Sequence, residues 1–411
     1  MEKYYPFRML KQNYAMFHDF QNKVVSRIDE MREEAIQLTQ ELVRIRSLSG
    51  EEEKIQTYVH AILSQIGFEV KSYSKVINRP NLIASLFGAR QHPNLLLIAH
   101  VDNIPVENSD SWLAPPYEAQ VMAGRILGRG VADMKAGLAA MIIAAKSIKE
   151  SGVPINGALS IATVVDEEVD STYGMRYLAD NLLISADAAV FGEPSFPYVA
   201  VALKGGAWLK MTTAGKAVGS GWPERGVNAV TNMAKLLLHL EALDFGKASH
   251  PLLGRTTIAP GTTINGGTNL HSVPDRCEAT VDVYSIPGET TEHILARIQN
   301  VIDRLHTEDP NFEASVNLLY SAEPYEIAPN QELLVDLQSC IESVFGSKAE
   351  LTGVPSIGDA RFLGKLGIPA IPAYGPGESG KGHVINESVK IDTLIGVAKV
   401  YALLALRMWD S

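Results

Sequence analysis

The chain is poor in the features that mark several protein classes. It has two cysteines, Cys277 and Cys340, in 411 residues. That is too few for a disulfide framework, and their separation matches no metal-ligand spacing, so both read as buried thiols. No run approaches the ~18 consecutive apolar residues that a membrane-spanning helix needs, which excludes an integral membrane protein of that type. Positive charge is in deficit: the formal net charge is −11, against any nucleic-acid or anionic-membrane partner, because phosphate binding needs a basic surface. Internal repeats and low-complexity linkers are absent. The first twenty residues carry scattered aromatics but no apolar signal-type core, and a cytoplasmic location is expected.

What is present is a composition of 46% hydrophobic and 20% charged residues, at a length that suits two domains better than one core. Apolar spacing predicts helices over 23–46 and 51–66, the second stopped by Gly67. Strands are expected at 68–74, 81–87 and 94–99, then a long helix over 135–149. Strand 158–165, helix 173–183 and strand 188–191 continue the alternation, which predicts an α/β architecture with a largely parallel sheet. Near Gly205 the pattern changes to strand 206–214, helix 226–243, strands 256–265 and 276–285, helix 289–306 and strand 314–321. That βαββαβ order resembles a ferredoxin-like α+β unit. The α/β reading resumes with helix 330–346, strand 368–373 and helix 391–408. The expected organisation is therefore a discontinuous catalytic domain, 1–204 and 320–411, interrupted by a satellite domain at 205–319.

Candidate chemistry collects where apolar strands end. In LLLIAHVDNIPV, His100 and Asp102 follow a buried strand, where open α/β sheets place their ligands. An imidazole there suits a metal, with the nearby carboxylate orienting it. In GRGVADMKAG, Asp133 stands at the start of the long helix, a position that also fits an N-cap. In SIATVVDEEVD, the consecutive acids Asp166, Glu167 and Glu168 need compensation, by solvent on an exposed loop or by a pair of divalent ions. Glu193 in FGEPS follows another short apolar strand, and His383 ends a Gly-rich loop in GPGESGKGHVINE.

In this order the motifs (His-x-Asp, Gly-Arg-Gly-x-x-Asp-Met-Lys-x-Gly, Asp-Glu-Glu, Gly-Glu-Pro and a late His-x-x-Asn-Glu) resemble the acetylornithine deacetylase, succinyl-diaminopimelate desuccinylase, aminoacylase and glutamate carboxypeptidase family. The resemblance runs from about residue 30 to the end. It implies a hydrolase of small amide substrates with two Zn²⁺ per subunit, replaceable by Co²⁺ or Mn²⁺, and a homodimer formed through the satellite domain. Asp133 would bridge the ions, one of them also held by His100 and Glu193 and the other by Glu168 and His383. Glu167 would be the general base that takes a proton from the bridging water and passes it to the leaving amine. Asp102 would support His100. Arg361, in Ser356-Ile357-Gly358-Asp359-Ala360-Arg361, would hold a substrate carboxylate.

The satellite departs from the family pattern at three positions. A Gly-Lys-Ala-x-His-Ser stretch reads Gly215-Lys216-Ala217-Val218-Gly219-Ser220, so its His is Gly219. The Asn before Val-Pro-Asp is shifted to His271 in Asn269-Leu270-His271-Ser272-Val273-Pro274-Asp275, and the Arg of Asp-Val-Arg is Tyr284. With every ligand position kept, an altered substrate shell fits better than decay, and His271 or Tyr284 is a candidate replacement for the missing donor. A dipeptidase or carboxypeptidase with the same chemistry, and a member that binds its ligand without hydrolysing it, are the alternatives.

Overall fold

The structure is a computed structural model that describes residues 5–246 and 248–410, with side chains from His18 onward. The chain folds into two compact units. The first comprises 1–201, 327–351 and 362–411, and the second 202–326 and 352–361. Besides the contiguous stretch expected around 205–319, the second unit takes in 352–361. No helix among the described residues is long and apolar enough to cross a membrane.

The first unit is built on a six-stranded sheet in the order Glu69–Tyr73, Asn81–Phe87, Ala158–Val164, Asn94–His100, Ala188–Phe191, Ala370–Ile371. The last four strands run parallel, whereas Glu69–Tyr73 pairs antiparallel with Asn81–Phe87, and Asn81–Phe87 antiparallel with Ala158–Val164. The sheet is therefore mixed, parallel across its last four strands as expected and antiparallel at the edge that carries Asn81–Phe87. Parallel neighbours need a helical crossover of roughly a dozen residues or more, and the loop 74–80 between Glu69–Tyr73 and Asn81–Phe87 contains no helix. The expected helix 23–46 is two helices, Tyr5–Glu30 and Arg32–Arg44, separated at Met31.

Asn94–His100 and Ala158–Val164 are buried at every position, as their unbroken apolar sequences require of strands covered on both faces. Each Leu or Ile removed from water there contributes about 1.5–3 kcal/mol. The helices Ala136–Glu150 and Ile391–Asp410 pack together and are buried over most of their surface. The first can approach the sheet because Gly137 has no side chain: a Cβ there would stand 2.4 Å from the Gly192 carbonyl oxygen.

Parallel pairing has one consequence for the site. His100 lies in register with Val164, and Ile98 with Phe191, so the carboxyl ends of three strands open side by side. Two small sheets then fix the late loop. Gly375–Glu378 pairs with Pro194–Phe196, directly after Glu193, and Ser388–Lys390 pairs with Arg125–Leu127, shortly before Asp133. The segment carrying His383 is thus anchored on both flanks.

The second unit contains Gly205–Ala214, helix Ala229–Glu241, Thr257–Gly266, Arg276–Ser285, helix Thr291–Glu308 and Glu313–Ala322. Its four strands form an antiparallel sheet with Arg276–Ser285 and Gly205–Ala214 in the middle. Arg276–Ser285 alternates strictly between buried and less buried residues. Its inward Val281 and Val283 join Leu209 and Met211 against Met233, Leu236, Ile294 and Ile298 of the helices. Both helices are capped at their starts, by Asn228 accepting from the Val230 N–H at 2.9 Å and by Thr290 accepting from His293.

Candidate metal centre

Five side chains converge at the carboxyl ends of the first unit's parallel strands and divide into two groups that share one residue. His100, Asp133 and Glu193 form one group, and Asp133, Glu168 and His383 the other, with the ligating atoms of each group within 4.8 Å of one another. The two oxygens of Asp133 face different ways. Oδ1 is 3.1 Å from His100 Nε2, and Oδ2 is 3.3 Å from His383 Nε2. Glu193 Oε1 lies 3.8 Å from His100 Nε2, and His383 Nε2 lies 3.0 Å and 2.9 Å from the two oxygens of Glu168.

The local backbone explains how Asp133 reaches this place. It does not cap the long helix, which starts at Ala136 with Lys135 in the capping position. Instead it sits in a single wide turn, Val131–Lys135, at φ −119° and ψ 90°. Its amide N–H donates to Glu387 Oε1 at 3.1 Å, and its carbonyl accepts from Asn103 Nδ2 at 3.3 Å. Gly382, next to His383, passes close by: a Cβ on it would stand 2.6 Å from Asp133 Oδ2. His383 itself holds a left-handed backbone, φ 62°, an uncommon conformation for a residue with a side chain.

Asp102 orders the strand ends. His100 Nδ1 donates to the Asp102 carbonyl at 3.0 Å, with the carboxylate farther off at 3.7 Å. With Nδ1 committed to that carbonyl, Nε2 is the nitrogen that faces Asp133 and Glu193, and in the neutral imidazole it is the one left to bind a metal. The support expected from the Asp102 carboxylate thus comes chiefly from its backbone. The carboxylate instead accepts the N–H groups of Glu167 and Glu168, each at 3.2 Å, and the Ser49 hydroxyl at 2.8 Å.

The three consecutive acids have separate surroundings. Asp166, at φ 70°, is paired with Arg79 at 2.8 Å, and Arg79 also binds the fully buried Glu52. Glu168 faces His383 and Asp133. Glu167 belongs to neither ligand group, yet its charge helps to raise both His100 and Glu193. Burial pushes Glu193 well above the usual carboxylate range; His100 opposes this, while Asp133 and Glu167 reinforce it. For His100, burial works downward, but Glu193, Asp133 and Glu167 outweigh it and hold the imidazole well above its ordinary value. A divalent cation reverses that balance, since it favours ionised carboxylates and neutral imidazole. Two imidazole nitrogens with three carboxylates are a donor set that zinc, cobalt and manganese accept, so the residues fit a pair of such ions.

Other elements of the site carried little sequence signal. Glu387 and Arg129 stand within recognisable motifs, but nothing in the sequence pairs them; they meet at 2.7 Å, both buried. Lys135 is fully buried, donates to the Ile45 carbonyl at 2.8 Å, and is pushed down to about 7 by burial. Arg79 had no signal at all.

The expected substrate residues lie in the second unit. Arg361 is buried, donating to the Gly358 carbonyl at 2.8 Å and the Tyr320 hydroxyl at 3.0 Å. Tyr284 stands in register with Gly206, its hydroxyl pushed up by burial and by Asp282. Gly219 forms a bridge with Ser272, and the Ser220 N–H donates to the carbonyl of the exposed His271 at 2.9 Å.

Residues 96–407 match the family described as Peptidase family M20/M25/M40. The chain is 28% identical, over 90% of its length and 98% of the relative's, to an uncharacterized metallohydrolase of Methanocaldococcus jannaschii. It is 25% identical to the N-formyl-4-amino-5-aminomethyl-2-methylpyrimidine deformylase of Bacillus subtilis, over 91% of this chain and 94% of that one. Among solved structures, its fold is similar to aminopeptidase PepT from Bacillus cereus, with a TM-score of 0.77 at 21% identity, covering 92% of this chain and 98% of that chain.

Proposed function

We propose that this chain, which belongs to peptidase family M20/M25/M40 and is a metal-dependent hydrolase, cleaves the C–N amide bond of a small N-acyl substrate at a pair of zinc ions. The observation that carries this reading is the division of Asp133 between two ligand groups, one oxygen toward His100 and the other toward His383. In this reading His100, Asp133 and Glu193 hold one ion, and Asp133, Glu168 and His383 the other. Two divalent ions so held supply the positive charge that acidifies water and stabilises negative charge growing on an amide oxygen.

Glu167 is the proton carrier of this proposal. Its backbone N–H is held by Asp102, it lies outside both ligand groups, and its charge acts on His100 and Glu193. Its carboxylate takes a proton from the attacking water and gives it to the leaving amine nitrogen, for which a non-ligand carboxylate beside cationic charge is suited. An N-acyl substrate, ahead of a peptide, is favoured by the Bacillus subtilis relative, whose name describes removal of an N-formyl group.

The second unit, with the ferredoxin-like βαββαβ order, is proposed as the satellite that completes substrate binding and joins two copies. Arg361 would bind a substrate carboxylate. His271 would supply the imidazole that Gly219 lacks, since their two segments are hydrogen-bonded together. Purified protein loaded with Zn²⁺ or Co²⁺ is to be assayed on N-formyl, N-acetyl, N-succinyl and dipeptide substrates. Turnover of an N-acyl member, reduced at least about 10²-fold in Glu167→Gln, supports the reading. Faster cleavage of dipeptides moves the assignment to a dipeptidase, and two bound metals without any hydrolysis move it to a binding protein.

A further inference from the structure

One buried carboxylate that belongs to neither ligand group touches the site from behind. Glu387 is 1% exposed and accepts four hydrogen bonds. Oε1 takes the N–H groups of Ala132 at 2.8 Å and Asp133 at 3.1 Å. Oε2 takes the Gly130 N–H at 3.0 Å and the Arg129 guanidinium at 2.7 Å. Three of the four donors are therefore backbone amides of the turn that presents Asp133, including the amide of Asp133 itself. Asn103 grips the same residue from its carbonyl side.

Glu387 also lies four positions after His383 in the chain. The loop between them is constrained by Asn386, which accepts the Leu113 N–H at 2.7 Å and has φ 60°. The Gly128 N–H donates to the Glu387 carbonyl at 2.9 Å, so backbone and side chain of this one residue hold the whole stretch 128–133. By contrast, His100 and Glu193 hang on the ends of the parallel strands and owe nothing to this contact.

We propose that Glu387 is a positioning residue that locks the Asp133 turn to the His383 loop and thereby sets metal affinity in the Asp133–Glu168–His383 group more than in the His100–Asp133–Glu193 group. The proposal rests on the two-metal reading. Glutamine at 387 would keep the shape but only one acceptor oxygen, and its amide N–H₂ would face backbone N–H groups. Partners behind metal ligands typically govern about 10- to 100-fold in affinity.

The test is titration of metal-free protein with Co²⁺, followed by visible absorbance and equilibrium dialysis, for wild type, Glu387→Gln and the double variant Arg129→Met/Glu387→Gln. The double variant removes both buried charges, so folding does not depend on an unpaired guanidinium. The expected result is a first Co²⁺ bound within about threefold of wild type and a second weakened by about tenfold or more, in both variants. Equal weakening of both ions, no weakening, or recovery of wild-type affinity in the double variant overturns the proposal; recovery would mean that Glu387 serves only to neutralise Arg129. A wild-type protein that binds fewer than two ions would instead overturn the two-metal reading, a result visible before any variant is compared.

Discussion

Gly382 leaves Asp133 its place: a methyl group on residue 382 would stand 2.6 Å from Asp133 Oδ2 and 3.0 Å from its Cβ. The carboxylate cannot retreat cheaply, because the same residue is held at its amide by Glu387 and at its carbonyl by Asn103. Gly382→Ala should therefore displace either the Asp133 carboxylate or the His383 loop. The expected outcome is a fall of about 10- to 100-fold in metal affinity, read by chelator competition. The melting temperature of the metal-free protein should change little, because residue 382 is half-buried on a loop outside the core.

Asp102 offers a second test. Its carboxylate holds the N–H groups of Glu167 and Glu168 while its carbonyl holds His100. Asp102→Asn keeps the carbonyl and the size of the side chain, but an amide can accept at only one of its two ends. His100 should stay oriented and Glu167 should be misplaced. The expected signature is a drop in kcat of about 10- to 100-fold, with metal content equal to that of wild type by elemental analysis. Loss of metal equal to the loss of activity would show that Asp102 acts through His100 instead.

How much of this was legible in the sequence depended on the kind of contact. His100, Glu168 and Glu193 follow apolar strands, and a chain that ends several buried strands in donors announces a site. Asp133 could be placed but not oriented, since an acid before a helix looks like a cap until the turn Val131–Lys135 is seen. His383 stands out as a candidate only through the order of motifs. Its actual placement depends on pairing of Gly375–Glu378 with Pro194–Phe196 and of Ser388–Lys390 with Arg125–Leu127, contacts between segments far apart in the chain that leave no periodicity. The antiparallel edge of the sheet was missed for a related reason: strand patterns alone do not give direction, although the short connection 74–80 constrained it. Arg79 lies in that connection, and only folding brings it to Glu52 and Asp166.

Arg79 in turn supports a stability prediction. It bonds Glu52 through two nitrogens and Asp166 through one, while Glu52 is fully buried and Asp166 nearly so. Removing the guanidinium leaves two buried carboxylates without their cation. Arg79→Met should cost on the order of 3–5 kcal/mol in urea unfolding. Because Asp166 begins the turn that carries Glu167 and Glu168, activity should fall as well. Arg79→Met combined with Glu52→Gln and Asp166→Asn should recover much of the stability, as removal of a whole buried charge set often does.

The pH dependence of stability can be assigned at Glu378. Its carboxylate accepts from Arg125 at 2.7 Å and pairs with Lys390 at 2.7 Å, which ties Gly375–Glu378 to the strands Arg125–Leu127 and Ser388–Lys390. Hydrogen bonds from Arg125 and then Lys390 lower its pKa to about 2, from an ordinary value of 4.5. A folded-state pKa below the unfolded one means that the contribution is complete above about pH 4.5 and is lost as the pH falls toward 2. With the pair partly open to solvent, its size is on the order of 1 kcal/mol. Glu378→Gln should therefore be less stable than wild type by about that amount at pH 7, with the two unfolding curves converging as the pH drops below 4.5. A difference that stays constant between pH 7 and pH 3 would locate the effect in packing or hydrogen bonding, and not in the charge of Glu378.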